Sequence, residues 1–253
     1  MLRDLHPAYD ASARRPHVIG SLISSVNGRA TLDGRTAALA PSGGGADRAI
    51  FRGLRGVCDA IMVGTGTLRD ERYGRPGRRR KLREFRAARG LAEEPKVIVV
   101  SRSLDLPVDI PLFQDPATEV LLFTWSDAAV PSPGAQITVV RMDPIDTSLE
   151  AVLRAAHDLH GIRSVVCEGG PTLYGSLLTE DLVDELFLTI APIHAGGDEL
   201  PLTRPGHDAQ PCPMKLAGVL SRDDYLFLRY RRAQSAVPDA AHDAGSVGSA
   251  SRT

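Results

Sequence analysis

The sequence predicts an α/β fold with a mostly parallel central sheet, flanking helices and a C-terminal antiparallel hairpin. Short apolar segments alternate with stretches of helical periodicity over most of the chain. Two of these segments, 97–100 and 121–123, are apolar without alternation, which is typical of strands covered on both faces. The last two apolar segments are separated only by residues 222–224, a spacing typical of two antiparallel strands joined by a tight turn.

Nine strands and three helices are predicted along the chain. The strands are expected at residues 18–26, 59–63, 96–101, 119–124, 136–140, 163–167, 185–192, 215–221 and 225–230. The helices are expected at residues 46–56, 148–160 and 171–179. The middle helix has the clearest ends, because Ser148 can cap its first turn and Gly161 suits the position after its last.

Composition argues against several classes of function. The 253 residues are 43% hydrophobic, which is enough for one large domain or two small ones. A formal net charge of −1 gives no global electrostatic reason to expect a nucleic-acid partner. The longest apolar runs are too short to span a bilayer, and the N-terminus lacks the apolar core of a signal peptide. We therefore expect a cytoplasmic protein without membrane or nucleic-acid partners.

The chain divides into three parts. Residues 1–16 are expected to lead into the first strand, and residues 17–232 to form the folded domain. Residues 233–253 are rich in Ser, Gly and Ala, so we expect a disordered tail there. Within the domain, residues 72–95 form a basic insertion that is open to three interpretations. It could be a solvated basic helix, a phosphate-binding flap or a nucleic-acid contact, although the last lacks interleaved aromatic residues.

The cysteine and histidine residues do not indicate a metal site or a disulfide framework. Cys58, Cys167 and Cys212 are scattered, and no two of them form a Cys-x-x-Cys pair. His157 and His160 lie three residues apart on a predicted helix, with no third ligand close to them in the sequence. We therefore predict no structural or catalytic metal.

The most informative segment is 165–173, where an apolar strand ends at Glu168 and the chain turns on Gly169 and Gly170 into a helix. Glycines permit positive φ angles and close approach of a ligand to the backbone, and Pro171 suits the first helical position. The free N–H groups of that first turn can bind an anion at the carboxyl end of the strand. The alternative is a tight strand-to-helix turn around a buried glutamate.

A second glycine turn, Gly64-Thr65-Gly66-Thr67, follows the second predicted strand. It matches neither the phosphate-binding P-loop nor the Gly-x-Gly-x-x-Gly fingerprint, so a plain turn at the end of a strand is the alternative. Two such turns after parallel strands would hold an extended phosphate-bearing ligand from two sides.

Two further features could contribute to a site. The first predicted strand ends in polar residues and glycine, including Asn27. Arg55 lies on the helix 46–56, where it could be an ordinary surface arginine or could pair with a substrate phosphate.

These segments, taken together and in order, resemble the reductase domain of riboflavin biosynthesis, which has a dihydrofolate-reductase-like fold. That domain forms the C-terminal part of a bifunctional deaminase-reductase, and this sequence looks like the stand-alone actinobacterial type. The similarity extends from about residue 16 to residue 231. The matching blocks are 23–28, 54–55, 59–67, 168–173, 182–186, 191–192 and 196–197.

The resemblance implies an NADPH-dependent oxidoreductase. Its substrate would be a 5-amino-6-ribosylamino-pyrimidinedione 5′-phosphate, whose ribosylamino group becomes ribitylamino. Asn27, Arg55 and Glu168 would bind this substrate, with Glu168 as the catalytic candidate. The residues expected to bind NADPH are Ile23, Gly64, Gly66, Thr67, Glu71, Ser101, Arg102, Gly169, Gly170, Pro171, Thr172, Leu173, Tyr174, Gly175 and Ser176.

The resemblance also implies a homodimer, because the family pairs its subunits through the sheet. The strand at 186–190 and the closing hairpin are the candidate contacts. Ser101 and Arg102 would lie near the adenosine 2′-phosphate, which predicts a preference for NADPH over NADH.

The sequence departs from the family pattern at Asn27, where the family usually has Asp, so any role that needs a carboxylate there is in question. Asp33 could substitute for it. The zinc deaminase domain often fused upstream is absent from this sequence, so another protein would supply that step. The proton donor is left open between Glu168 and bound water. Two other functions are compatible with the same residues: a reductase of a folate-like pterin or another imine or carbonyl, and a catalytically inactive nucleotide-binding module.

Overall fold

The computed structural model describes residues 13–40, 44–131, 134–204, 206 and 210–233. The predicted N-terminal segment is therefore described only from residue 13. The predicted disordered tail lies outside the described residues apart from Ala233. Within the described helices, no segment is long and apolar enough to cross a membrane.

In the described part of the chain, nine strands form one sheet in the order β5-β4-β3-β2-β6-β1-β7-β9-β8. All pairs from β5 to β7 are parallel, and β7–β9 and β8–β9 are antiparallel, which confirms the predicted sheet and hairpin. The strands are β1 His17–Ser25, β2 Ala60–Gly64, β3 Lys96–Val100, β4 Glu119–Thr124, β5 Gln136–Arg141, β6 Ser164–Cys167, β7 Glu185–Ala191, β8 Met214–Arg222 and β9 Tyr225–Arg232.

Helices cover both faces of the sheet. They are α1 Gly44–Val57, α2 Thr65–Asp70, α3 Arg80–Ala87, α4 Pro111–Gln114, α5 Leu149–His160 and α6 Pro171–Thr179, with a 3₁₀ turn at Thr36–Leu39. The predicted strands and the three predicted helices agree with these bounds to within two residues. Helices α2 and α4 were not predicted, and α2 begins within the second glycine turn.

The sheet has a hydrophobic core on each face. In β2, Ile61 and Val63 pack into one core, while Met62 between them packs into the other. Helix α1 covers the first face with Ile50 and Leu54, whereas α5 and α6 cover the second. The unbroken apolar composition of the central strands follows from this arrangement, as predicted.

The basic insertion contributes a buried anchor for α1. Arg86 of α3 is 0% exposed, and its guanidinium donates hydrogen bonds of 2.6, 2.5 and 2.7 Å to the carbonyl oxygens of Arg55, Cys58 and Ala92. The carbonyl groups at the end of a helix lack intrahelical partners and carry its negative dipole, so a buried cation is well suited to them. Most other basic side chains of the insertion are exposed, so α3 is a basic helix with one structural arginine.

Candidate active site

A cavity of about 910 Å³, here called the central cleft, opens at the carboxyl ends of β2, β3 and β6. Its other walls are the middle of β1, one face of α1 and parts of the segments 30–40 and 200–204. This is where parallel sheets bind ligands, and the volume is at the upper end of the range for a small-molecule site.

The two glycine turns meet in this cleft. Gly169 and Gly170 have φ angles of 106° and 95°, which strongly favour glycine. A Cβ atom on Gly170 would lie 3.3 Å from the Thr67 hydroxyl oxygen and 3.9 Å from the Gly64 Cα. Gly170 is also the N-cap of α6, so the first-turn N–H groups of this helix have no side-chain cap. The predicted pair of turns is therefore one continuous surface.

Glu168 and Arg55 form a buried ion pair beside these turns. Arg55 Nε and a terminal guanidinium nitrogen donate to the two carboxylate oxygens at 2.5 and 2.6 Å. The Glu168 side chain is 0% exposed and that of Arg55 is 14% exposed. Burial lowers the pKa of Arg55, but the charge and hydrogen bonds of Glu168 outweigh this effect and raise it. Arg55 is thus an internal residue of the site, and the bidentate geometry fixes the carboxylate in place.

Two aromatic rings enclose the Arg55 side chain. The guanidinium carbon lies 4.3 Å from the centroid of Phe51 and 5.7 Å from that of Tyr73, within the range of cation–π attraction. Burial and the neighbouring Glu168 carboxylate raise the pKa of the Tyr73 hydroxyl well above its usual value. Tyr73 therefore stays protonated, and its hydroxyl donates to the Glu168 carboxylate. Sequence reasoning missed it, because no local pattern links residue 73 to Arg55.

Fourteen of the predicted site residues line the central cleft. They are Ile23, Arg55, Gly64, Gly66, Thr67, Glu71, Arg102, Glu168, Gly169, Gly170, Pro171, Thr172, Leu173 and Ser176. Four predicted residues are not among its lining residues, namely Asn27, Ser101, Tyr174 and Gly175.

Asn27 is not among the residues that line the cleft, and its side chain instead joins two loops. Its Nδ2 donates to the Ala195 carbonyl oxygen at 2.8 Å, and its Oδ1 accepts from the Ala195 N–H at 3.0 Å. The Ser25 hydroxyl donates to the same Oδ1 at 2.7 Å. These contacts use both the donor and the acceptor of the amide, which a carboxylate could not match. The geometry therefore gives a reason for Asn at a position where the family usually has Asp.

Ser101, Tyr174 and Gly175 lie behind the lining residues. Tyr174 is 2% exposed and packs against β1, where a Cβ atom on Gly20 would lie 2.6 Å from its ring. Gly175 is buried within α6, and Ser101 is buried beside β4, with its N–H bonded to the Phe123 carbonyl oxygen at 3.0 Å. These residues shape the walls of the cleft and are shielded from a ligand in it.

Arg102 and Glu71 lie at the rim of the cleft. Arg102 is exposed, and its guanidinium donates to the Thr147 carbonyl oxygen at 3.3 Å beside the Trp125 ring. Glu71 accepts a hydrogen bond of 3.0 Å from the Thr36 N–H, which ties the end of α2 to the 3₁₀ turn. Arg204 is a second exposed cation at the rim. Its backbone N–H donates to the Pro171 carbonyl oxygen, which places it beside the start of α6.

The cysteines offer neither a nucleophile nor a metal ligand. Cys58, Cys167 and Cys212 are free thiols, and burial raises the pKa of all three. Because thiolates are the reactive form, these thiols are unreactive at neutral pH. Among the described residues, no three His, Cys, Asp or Glu side chains are grouped closely enough to hold a metal ion.

Comparison with known proteins gives a consistent family. Residues 16–226 match the RibD C-terminal domain. A protein of Methanothermobacter thermautotrophicus is 34% identical over 72% of this chain and 81% of its own length. A protein of Archaeoglobus fulgidus is 28% identical over 74% and 85%, and both are named 2,5-diamino-6-ribosylamino-4(3H)-pyrimidinone 5′-phosphate reductase. A crystal structure of a pyrimidine reductase-like protein from Corynebacterium diphtheriae superposes with a TM-score of 0.71 at 26% identity, covering 87% of this chain and 92% of the other. Since the family match spans most of the chain and includes both glycine turns and the Arg55–Glu168 pair, this protein belongs to the RibD C-terminal domain family.

Proposed function

We propose that this protein is an NADPH-dependent reductase that converts the ribosylamino group of a pyrimidine 5′-phosphate to ribitylamino in riboflavin biosynthesis. The observation that carries the proposal is the bidentate Arg55–Glu168 pair, which lies beside the joined glycine turns in the central cleft. The archaeal relatives are named for a diaminopyrimidinone substrate, whereas the sequence predicted a deaminated pyrimidinedione. An assay must therefore decide whether the substrate carries the 2-amino-pyrimidinone ring or the pyrimidinedione ring.

The cofactor side of the cleft fits the pyrophosphate of NADPH. The positive φ angles at Gly169 and Gly170 bring the backbone of this turn close to a bound ligand, and α6 directs its uncapped N–H groups toward the same space. Arg204 supplies a cation beside this helix end, and Arg102 supplies one for a 2′-phosphate. When bound, NADPH supplies the hydride that the reduction requires, so the protein's task is to orient it.

The substrate side is organised by the ion pair. Glu168 accepts two hydrogen bonds from Arg55, one on each carboxylate oxygen. The guanidinium therefore fixes the orientation of the remaining carboxylate lone pairs. A carboxylate held in this way can accept from ribose hydroxyls or ring N–H groups, while the Tyr73 hydroxyl, itself hydrogen-bonded to Glu168, helps to hold that carboxylate. This arrangement positions the reacting carbon, which is a large part of what a hydride-transfer enzyme must provide.

The test measures loss of NADPH absorbance with three substrates: the ribosylamino-pyrimidinedione phosphate, its 2-amino-pyrimidinone counterpart and a dihydropterin. The proposal expects turnover with one of the two pyrimidines and a product two hydrogens heavier by mass spectrometry. Turnover with the dihydropterin alone would instead favour a pterin reductase. NADPH binding without oxidation in all three reactions would contradict any reductase function and favour a binding module.

We also propose that the protein is a homodimer, because one face of its antiparallel strands is apolar and uncovered in the described chain. Leu188 of β7 pairs with Leu228 of β9, which in turn pairs with Val219 of β8. Leu226 and Leu216 extend the same face, and with Val219 they are exposed. Contiguous exposed apolar surface of this kind marks a contact site. β7 itself lies between β1 and β9, so the contact predicted for it would use its side chains and not its edge.

Light scattering on the purified protein tests this proposal. We expect a dimer for the wild type and a monomer for a variant that combines Val219→Lys with Leu226→Lys. The matched control is Leu159→Lys, which changes an exposed leucine on α5 and should leave the dimer intact. A monomeric wild type at micromolar concentration would contradict the proposal.

A further inference from the structure

Four carboxyl residues line the central cleft, namely Asp47, Asp70, Glu71 and Glu168, and Asp47 plays no part in the proposed binding roles. Asp47 lies in the first turn of α1, four residues before Phe51 and eight before Arg55. Residues spaced by four lie on one face of a helix, and these three all line the cleft. Asp47 therefore shares the space that holds the Arg55–Glu168 pair.

The contacts of Asp47 place it over strand β7, next to β1. The Thr189 hydroxyl of β7 donates to its Oδ1 at 2.6 Å. Thr189 is the register partner of Ile23 in β1, and Ile23 both lines the cleft and is a predicted cofactor contact. A ligand that reaches Ile23 would thus lie within reach of the Asp47 carboxyl group.

The electrostatic environment of Asp47 differs from that of Glu168. In the described part of the chain no arginine or lysine forms a salt bridge with Asp47, whereas Arg55 holds both oxygens of Glu168. Burial raises the pKa of Asp47, and the opposing effects of the Thr189 hydrogen bond and of Arg48 on the same helix do not cancel this.

The groups that face Asp47 from neighbouring elements are mostly uncharged at neutral pH. Ser21 of β1 and Thr189 of β7 line a small cavity of about 10 Å³ next to it. On β9, Tyr225 donates its hydroxyl to the Leu39 carbonyl oxygen at 3.1 Å, and its pKa is raised by burial and by the Asp47 charge. Among the described residues, the exposed Arg48 is the cation whose charge lowers the pKa of Asp47.

We propose that Asp47 is the proton donor of the reduction, an inference that rests on the proposed function. The carbon of the substrate's open C=N group accepts a hydride from the reduced nicotinamide and forms a C–H bond. The π electrons of the C=N bond move to nitrogen, which takes the proton from the Asp47 O–H bond as that bond breaks. The products are the secondary amine, the oxidised cofactor and the Asp47 carboxylate, which regains a proton from water.

Glu168 is less suited to this step. It accepts two short hydrogen bonds from a buried guanidinium, so protonating it would remove the partner of that charge. Of the carboxyl groups that line the cleft, Glu168 would bind the substrate and Asp47 would donate the proton. From the sequence alone, the proton donor could be either Glu168 or bound water.

The pH dependence of kcat/KM tests this proposal in four proteins: wild type, Asp47→Asn, Thr189→Val and Asp127→Asn. Asp127→Asn is the control, because it neutralises an exposed carboxylate. The protonated acid is the active form, so wild-type activity falls as the pH rises through the Asp47 pKa. We expect Asp47→Asn to lose about 100-fold or more at neutral pH, the lower range for general acid catalysis, and to lack this pH limb. Thr189→Val removes a bond that stabilises the carboxylate, so its limb should move to higher pH.

Cofactor titration and thermal melting accompany the kinetics, because Asn is nearly isosteric with Asp and should preserve both folding and NADPH binding. A folded Asp47→Asn protein that keeps wild-type turnover and the wild-type pH limb would overturn the proposal. An unmoved limb in Thr189→Val would also count against it. A wild type that binds NADPH but reduces neither pyrimidine phosphate would overturn the proposed function and this inference with it.

Discussion

Replacing Glu168 by Gln is the sharpest test of the site, because the structure gives this residue two roles. The Gln amide can still accept one of the hydrogen bonds from Arg55, but its NH₂ group would face the second donor. The buried guanidinium also loses its counter-charge. Breaking one partner of a buried ion pair costs about 3–5 kcal/mol of unfolding free energy. For a chain of this size that corresponds to a fall in Tm of roughly 6–20 °C.

Kinetics and stability must therefore be measured on the same Glu168→Gln protein, below its Tm. We expect kcat/KM per folded molecule to fall about tenfold or more, with NADPH affinity nearly unchanged. Glu119→Gln is the matched control, since Glu119 pairs with Lys96 on the surface, where such pairs contribute about 0–1 kcal/mol. Wild-type stability within 1 kcal/mol would refute the energetic argument. Wild-type turnover by a destabilised protein would reduce Glu168 to a structural role.

Three further variants test other parts of the structure. Arg102→Ala should weaken NADPH binding by on the order of 1.5–3 kcal/mol in a fluorescence titration and leave NADH binding unchanged, and equal losses would place Arg102 away from the 2′-phosphate. Asn27→Asp should lose about 1 kcal/mol in a denaturant titration without gaining activity, and a tenfold gain in kcat/KM would contradict the structural account of Asn27. Arg86→Met should lose about 3–5 kcal/mol in the same titration because three carbonyl groups around the buried guanidinium lose a charged donor, whereas Lys81→Met on the exposed face of α3 should stay within about 0.5 kcal/mol of wild type.

The fold was predictable because its signals are local. Helix α6 was placed to the residue, since Gly169, Gly170 and Pro171 mark its beginning on purely conformational grounds. Helix α2 was missed because the local signal is misleading there: Gly64 and Gly66 favour a turn, although a helix begins between them. Six residues with two threonines and a glycine have little helical propensity of their own, and the burial of Leu68 in the core compensates.

Candidate site residues could be predicted only where a local signal marked them. Glu168 and Arg55 were each predicted as site residues, but their pairing joins residues 113 positions apart, and no spacing rule predicts such a contact. Arg86 looked like one more charge on a basic helix, because burial depends on what packs against it. Asn27 was assigned by family position, whereas its hydrogen bonds to Ala195 depend on a loop that follows a distant strand.

Glu168 and Asp47 have different surroundings in this cleft, and under the two proposals that difference separates substrate binding from protonation. Arg55 requires a counter-charge because it is buried, so Glu168 is committed to it and its position is fixed. Asp47 lies on the same face of α1, two turns away, with a neutral hydroxyl as its partner, so burial favours its protonated form. This lowers stability at neutral pH, since ionising a partly buried carboxyl group that has no ion-pair partner among the described residues is unfavourable. A group that weakens the fold and lines the ligand cleft is better explained by chemistry than by packing.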